Sequence, residues 1–147
     1  MISEAPQTLY GSVEEMLEAA RAGLTRLTPH EAAEATSSGD LIVDIRPEWQ
    51  RRESGEIPGS LVIERNHLEW RLHPASETRL PQADTRRRWI IVCTEGYTSS
   101  LAARSLLSIG LEAADIVGGI TAWRDAGLQV VDGATPVEHV VAEKAVG

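Results

Sequence analysis

Apolar positions follow two rhythms along this chain. Val13, Met16, Leu17 and Ala20 recur at helical spacing behind Ser12 and Glu15, which form a capping box, and Gly23 supplies a stop. This predicts a helix within an N-terminal extension, residues 1–24, lying on the main domain. A short strand is expected over 24–27. Thr28, Pro29 and Glu31 then give a second helix start, with cap, first-position proline and third-position glutamate, running to about Ser38. The second rhythm is a near-continuous apolar run. Leu41, Ile42, Val43, Asp44 and Ile45 suit a strand buried on both faces, as do Trp89 to Val92. Shorter strands are expected over 61–63 and 114–117. Pro47 opens a short helix to about Arg52, Asn66 caps one carrying Leu68, Trp70 and Leu72, Ser99 or Ser100 begins one ending at Gly110, and Thr121 to Ala126 forms the last. Residues 73–88 read as a surface connection. From Asp132 the pattern fades, which predicts a peripheral tail over 132–147.

Strands alternating with helices define an α/β domain. The expected fold is a mainly parallel central sheet of about five strands with helices on both faces, over residues 25–131.

Composition narrows the setting. The 147 residues fit one domain, and a hydrophobic fraction of 42% supports a real core. The net charge of −8 gives no electrostatic reason for a nucleic-acid or anionic-membrane partner. No apolar run reaches the roughly 18 residues of a membrane span. The first residues lack the basic and apolar regions of a signal peptide. One cysteine precludes an internal disulfide, so the expected location is cytoplasmic and reducing. His30, His67, His73 and His139 are scattered without ligand spacing, so neither a metal nor a cofactor is expected. Arg86, Arg87 and Arg88 read as solvated gatekeepers before a buried strand rather than as a docking patch.

The lone cysteine holds the best position for chemistry. Open α/β sheets place their sites beyond the carboxyl ends of the strands, and Cys93 ends one. Cys93-Thr94-Glu95-Gly96-Tyr97-Thr98-Ser99 then enters a helix. Such a loop can turn several backbone N–H groups toward one centre, with a helix N-terminus behind it. Gly96 permits a left-handed turn, and Thr98 and Ser99 offer hydroxyls. Those donors favour a thiolate, and would stabilise a persulfide anion as well.

Four stretches, in order, resemble the rhodanese family of single-domain sulfurtransferases. They are Leu41-Ile-Val-Asp-Ile-Arg-Pro47, Gly55-Glu-Ile-Pro-Gly-Ser60, Ile91-Val-Cys-Thr-Glu-Gly-Tyr-Thr-Ser99 and Val117-Gly-Gly-Ile-Thr-Ala-Trp123. The resemblance implies that Cys93 accepts sulfane sulfur from a small-molecule donor and passes it, as a persulfide, to a thiol, cyanide-type or protein acceptor. It also implies a cradle of N–H groups from residues 94–98 with hydroxyls from Thr98 and Ser99, and no cofactor. The alternative is a rhodanese-like module that binds a partner or senses redox state without turnover.

Two positions depart from the family pattern. Glu56 replaces the usual histidine of the turn and reads as structural. Glu95 puts a carboxylate in the loop where thiosulfate-using members often carry basic groups, so thiosulfate is expected to be a poor donor. A phosphatase loop needs an arginine six positions after its cysteine, where this chain has Ser99. Dithiol exchange lacks a second cysteine, and no motif marks a cysteine hydrolase. Asp44 and Arg46 are expected to form a structural ion pair. Trp49, Trp70, Trp89 and Trp123 are all expected in or near the core. Tyr97 either lines the mouth or points to solvent.

Overall fold

A computed structural model describes residues 5–133, 135 and 136. Five strands form one all-parallel sheet: β1 Thr25–Leu27, β2 Leu41–Asp44, β3 Leu61–Val62, β4 Arg88–Val92 and β5 Glu112–Ile116. Their spatial order is β1-β5-β4-β2-β3. Val43 and Asp44 register with Ile91 and Val92, which levels the carboxyl ends of the two central strands.

Alternation along the strands sorts two cores. Val43, Trp89, Ile91 and Cys93 face one side, with Leu68 and Leu72 of α4 (Leu68–Leu72) and Ala102, Ala103 and Leu106 of α5 (Thr98–Ser108). Ile42, Ile90 and Val92 face the other, with Ala32 of α2 (Pro29–Thr36) and Ile120 and Trp123 of α6 (Gly119–Asp125). Helices therefore cover both faces of the sheet. The N-terminal extension carries α1 (Val13–Arg21), which packs on α5. Arg104 of α5 donates to the carbonyls of Ala20 and Ala22, closing the end of α1. Among the described residues, no helix is long and apolar enough to cross a membrane.

Several local expectations change. Trp89 and Trp123 are buried, but Trp49 and Trp70 are 61% and 55% exposed. Both sit on short peripheral helices, α3 (Glu48–Ser54) and α4, whose inward faces are taken by Arg51 and by Leu68, Arg71 and Leu72. Residues 73–88 are more than a surface connection. They include a 3₁₀ turn at Pro81–Asp84 and drop Ala83 into the interior. Helix α5 begins at Thr98 with no side-chain cap, because the Ser99 and Ser100 hydroxyls turn inward. Of the three consecutive arginines, Arg86 pairs with Glu112, Arg88 pairs with Asp40, and Arg87 lies over the Trp89 ring.

The start of the expected C-terminal tail is tied down. Val131 bridges to Glu56, and the Thr135 hydroxyl donates to Glu56 Oε1 at 2.6 Å. Arg51, fully buried, donates to Glu56 Oε2 at 2.5 Å and to the Thr135 carbonyl at 2.9 Å. Residues 137–147 lie outside the described residues. Burial opposes ionisation of Glu56, but the hydrogen bond from Thr135 and the Arg51 guanidinium outweigh it and hold the carboxyl below its usual range. A lowered folded pKa adds stability that is present above the unfolded value, about 4.3, and lost as pH falls through the folded one. Glu56→Gln is therefore expected to flatten the fall in stability below about pH 4.5. Urea unfolding at stepped pH checks this, and an unchanged acid limb in the variant contradicts it.

Candidate active site

The site stands at the carboxyl end of β4. Cys93 follows the strand directly, is 7% exposed, and is a free thiol. Residues 94–97 curl between the sulfur and α5. Two backbone N–H groups reach Sγ, from Gly96 at 3.2 Å and from Ser99 at 3.4 Å. The Ser99 donor belongs to the first turn of α5, so the positive end of that helix also faces the sulfur. Both effects place positive electrostatic potential at the sulfur.

Glycines make the curl possible. Gly96 has φ +89°, and a Cβ there would lie 2.8 Å from the Gly118 nitrogen. Gly119, at φ +60°, has no room for a methyl group against the carbonyl oxygens of Cys93 and Thr94. Those carbonyls accept from the first N–H groups of α6: Ile120 to Cys93 at 2.9 Å and Thr121 to Thr94 at 3.1 Å. The loop thus turns N–H groups toward the sulfur while its carbonyls are held by the neighbouring helix.

The expected site residues divide. Cys93, Gly96 and Ser99 converge through sulfur and backbone. The Ser99 hydroxyl is not turned to the sulfur as expected; it donates to Asp115 Oδ2 at 2.8 Å. Thr94 faces α3, where its hydroxyl donates to Gln50 Oε1 at 2.7 Å. Glu95, Tyr97 and Thr98 are exposed at the rim. Tyr97 is 60% exposed, with the Arg21 guanidinium 6.0 Å from its ring centre.

Sequence reasoning missed a buried polar frame behind the loop. Asp115 of β5 is fully buried and accepts from both Ser99 and Ser100 hydroxyls at 2.8 Å. Arg26 of β1 completes it, donating through Nε at 3.0 Å and a terminal nitrogen at 3.2 Å. Asp44 and Arg46 form the expected buried ion pair at 2.6 Å, and Arg46 also donates to the Gly55 carbonyl at 2.7 Å. Among the described residues, no cluster of three or more His, Cys, Asp or Glu side chains is arranged to hold a metal ion.

A parallel α/β sheet with one free cysteine under two loop N–H groups at its carboxyl edge defines a cysteine-loop domain. The rhodanese-like domain model matches residues 28–126, and the chain belongs to that family. No curated protein matches it. Its fold is similar to a protein of unknown function, possible tyrosine phosphatase, from Rhodopseudomonas palustris, with 34% identity and TM-score 0.75 over 86% of this chain and 99% of that one. It is also similar to a rhodanese-related protein from Thermoplasma volcanium, with 21% identity and TM-score 0.59 over 73% of this chain and 97% of that one. A thiosulfate sulfurtransferase from Pseudomonas aeruginosa matches at 24% identity and TM-score 0.67, over 83% of this chain but 22% of that longer one. The last two likenesses bear on the fold alone.

Proposed function

We propose that this protein is a sulfurtransferase that carries sulfane sulfur as a persulfide on Cys93. The observation that carries the reading is the pair of N–H donors from Gly96 and Ser99 on a single, slightly exposed thiol. The Cys93 thiolate attacks the sulfane sulfur of a donor. The donor's bond to that sulfur breaks, and its electron pair leaves with the remainder, as sulfite when the donor is thiosulfate. Cys93 then bears S–S⁻, with the charge on the outer sulfur. A nucleophilic acceptor, small or on a protein, attacks the outer sulfur, the S–S bond breaks, and the thiolate returns. No electrons enter or leave the cycle. A reducing cytoplasm suits this chemistry, because it keeps a lone thiol free.

Glu95, exposed beside the loop, disfavours anionic donors at low salt.

Phosphate-ester hydrolysis is the second reading, favoured by the likeness to the Rhodopseudomonas palustris protein, a possible tyrosine phosphatase. Ser99 occupies the place of the phosphate-gripping arginine. The arginines that reach the loop, Arg21 and Arg26, are turned onto the Gly96 carbonyl instead of the sulfur.

One experiment separates the two readings. The reduced protein is incubated with thiosulfate, 3-mercaptopyruvate or a small-molecule persulfide and weighed intact, and a parallel sample receives p-nitrophenyl phosphate. The expected result is a gain of one sulfur atom, slowest with thiosulfate, and no phosphate release. No mass gain with any donor overturns the sulfurtransferase reading, and phosphate release in its place supports the other.

A further inference from the structure

The N-terminal helix does more than cover the domain. Arg21, the last residue of α1, donates a terminal nitrogen to the Gly96 carbonyl at 2.7 Å and Nε to the Ser100 hydroxyl at 3.0 Å. Arg26 donates to the same Gly96 carbonyl at 3.0 Å. The Ser100 hydroxyl in turn donates a hydrogen bond to Asp115, which also holds Arg26. These contacts close a ring, from Arg21 through Ser100 and Asp115 to Arg26, with both guanidinium groups meeting on one carbonyl of the cysteine loop. Neither arginine lies within residues 28–126, the span that matches the family.

Gly96 is the hinge of this ring. Its N–H points inward to Sγ and its carbonyl outward to the two arginines. A glycine at φ +89° has wide backbone freedom, so its inward aim has to be fixed from outside. The Gly118 nitrogen blocks one side, and the arginines fix the other. Arg26 has its charge balanced by Asp115, whereas no carboxylate pairs with Arg21 among the described residues. The Arg21 fork spans two acceptors, a geometry that a lysine ammonium does not reproduce.

We infer that Arg21, supplied by the N-terminal helix, is a positioning residue for Cys93: with Arg26 it fixes the Gly96 turn that aims an N–H at the sulfur. The inference rests on Cys93 as the reacting atom. Its test reads the thiol directly, so it stands apart from whether sulfur transfer is the reaction.

The experiment measures alkylation of Cys93 by neutral iodoacetamide at fixed pH in the full chain, with melting temperature alongside. Arg21→Ala is expected to slow alkylation about fivefold to tenfold, in line with the cost of a small misplacement near a reacting atom. Arg21→Lys keeps the charge but loses the fork, and is expected to recover less than half of the lost rate. In sulfur transfer, both variants are expected to lower kcat while leaving the donor KM unchanged. A wild-type alkylation rate in folded Arg21→Ala overturns the inference. Full recovery in Arg21→Lys also overturns it, because charge alone would then suffice. If Arg21→Ala fails to fold, the lysine variant decides by the same criterion.

Discussion

Cys93→Ser is expected to abolish the proposed sulfur loading and turnover while leaving the fold intact. The hydroxyl that replaces the thiol fits the same space and can accept from the same two N–H groups, on Gly96 and Ser99. Stability is therefore expected to change by no more than about 1 kcal/mol. Chemistry does not survive. A serine hydroxyl is a far weaker acid and nucleophile than a thiol, and among the described residues no histidine hydrogen-bonds Cys93 to activate it. The variant should keep the wild-type melting temperature and gain no sulfur from any donor in intact-mass measurement. Retained sulfur loading would mean that the sulfur sits elsewhere on the chain.

Asp115→Ala carries the largest expected loss of stability. Asp115 is fully buried and satisfies two buried hydroxyls and the Arg26 fork. Removing it leaves the partly buried Arg26 charge uncompensated and two buried hydroxyls without their acceptor, at a combined cost of about 3–5 kcal/mol. For a chain of this size that is a fall in melting temperature of roughly 10 °C or more. Asp115→Asn keeps the shape and one acceptor, so its cost is expected to be smaller, about 1–3 kcal/mol. Thermal unfolding of both variants checks the order, and a melting temperature within a degree or two of wild type for the alanine variant contradicts the account.

Strands and helices were legible where one rhythm dominated. The apolar run at 41–45 suits a strand buried on both faces, and the two cores sharing β2 and β4 bear this out. The curl of the cysteine loop was legible too, because a cysteine ending such a strand and followed by Gly96 suits a turn that aims backbone N–H groups at one centre. Trp70 was misplaced by residue type. Leu68 and Leu72 lie four apart on one helix face, and Trp70, two from each, turns outward. Spacing held the answer, and the size of the side chain hid it. The frame behind the loop left no such signal. Arg21 and Arg26 stand more than 65 residues before the carbonyl they hold, and nothing in a local pattern marks which surface-type charge will be folded inward. Asp115 likewise lies in a short expected strand whose pattern says nothing of its partners. Ser99 and Ser100 advertised a helix cap, but the deep acceptor across the sheet drew their hydroxyls inward.

The ring around Gly96 also sets where this domain can be cut for transplantation. A graft beginning at residue 28 keeps every matched motif and the cysteine itself, yet leaves behind both guanidinium groups that grip the loop. Asp115 would then lie buried without its cation, and Gly96 would be free to swing. A fusion partner joined upstream of α1 would carry the loop's support along with it, so the portable unit starts before the family-matched span does.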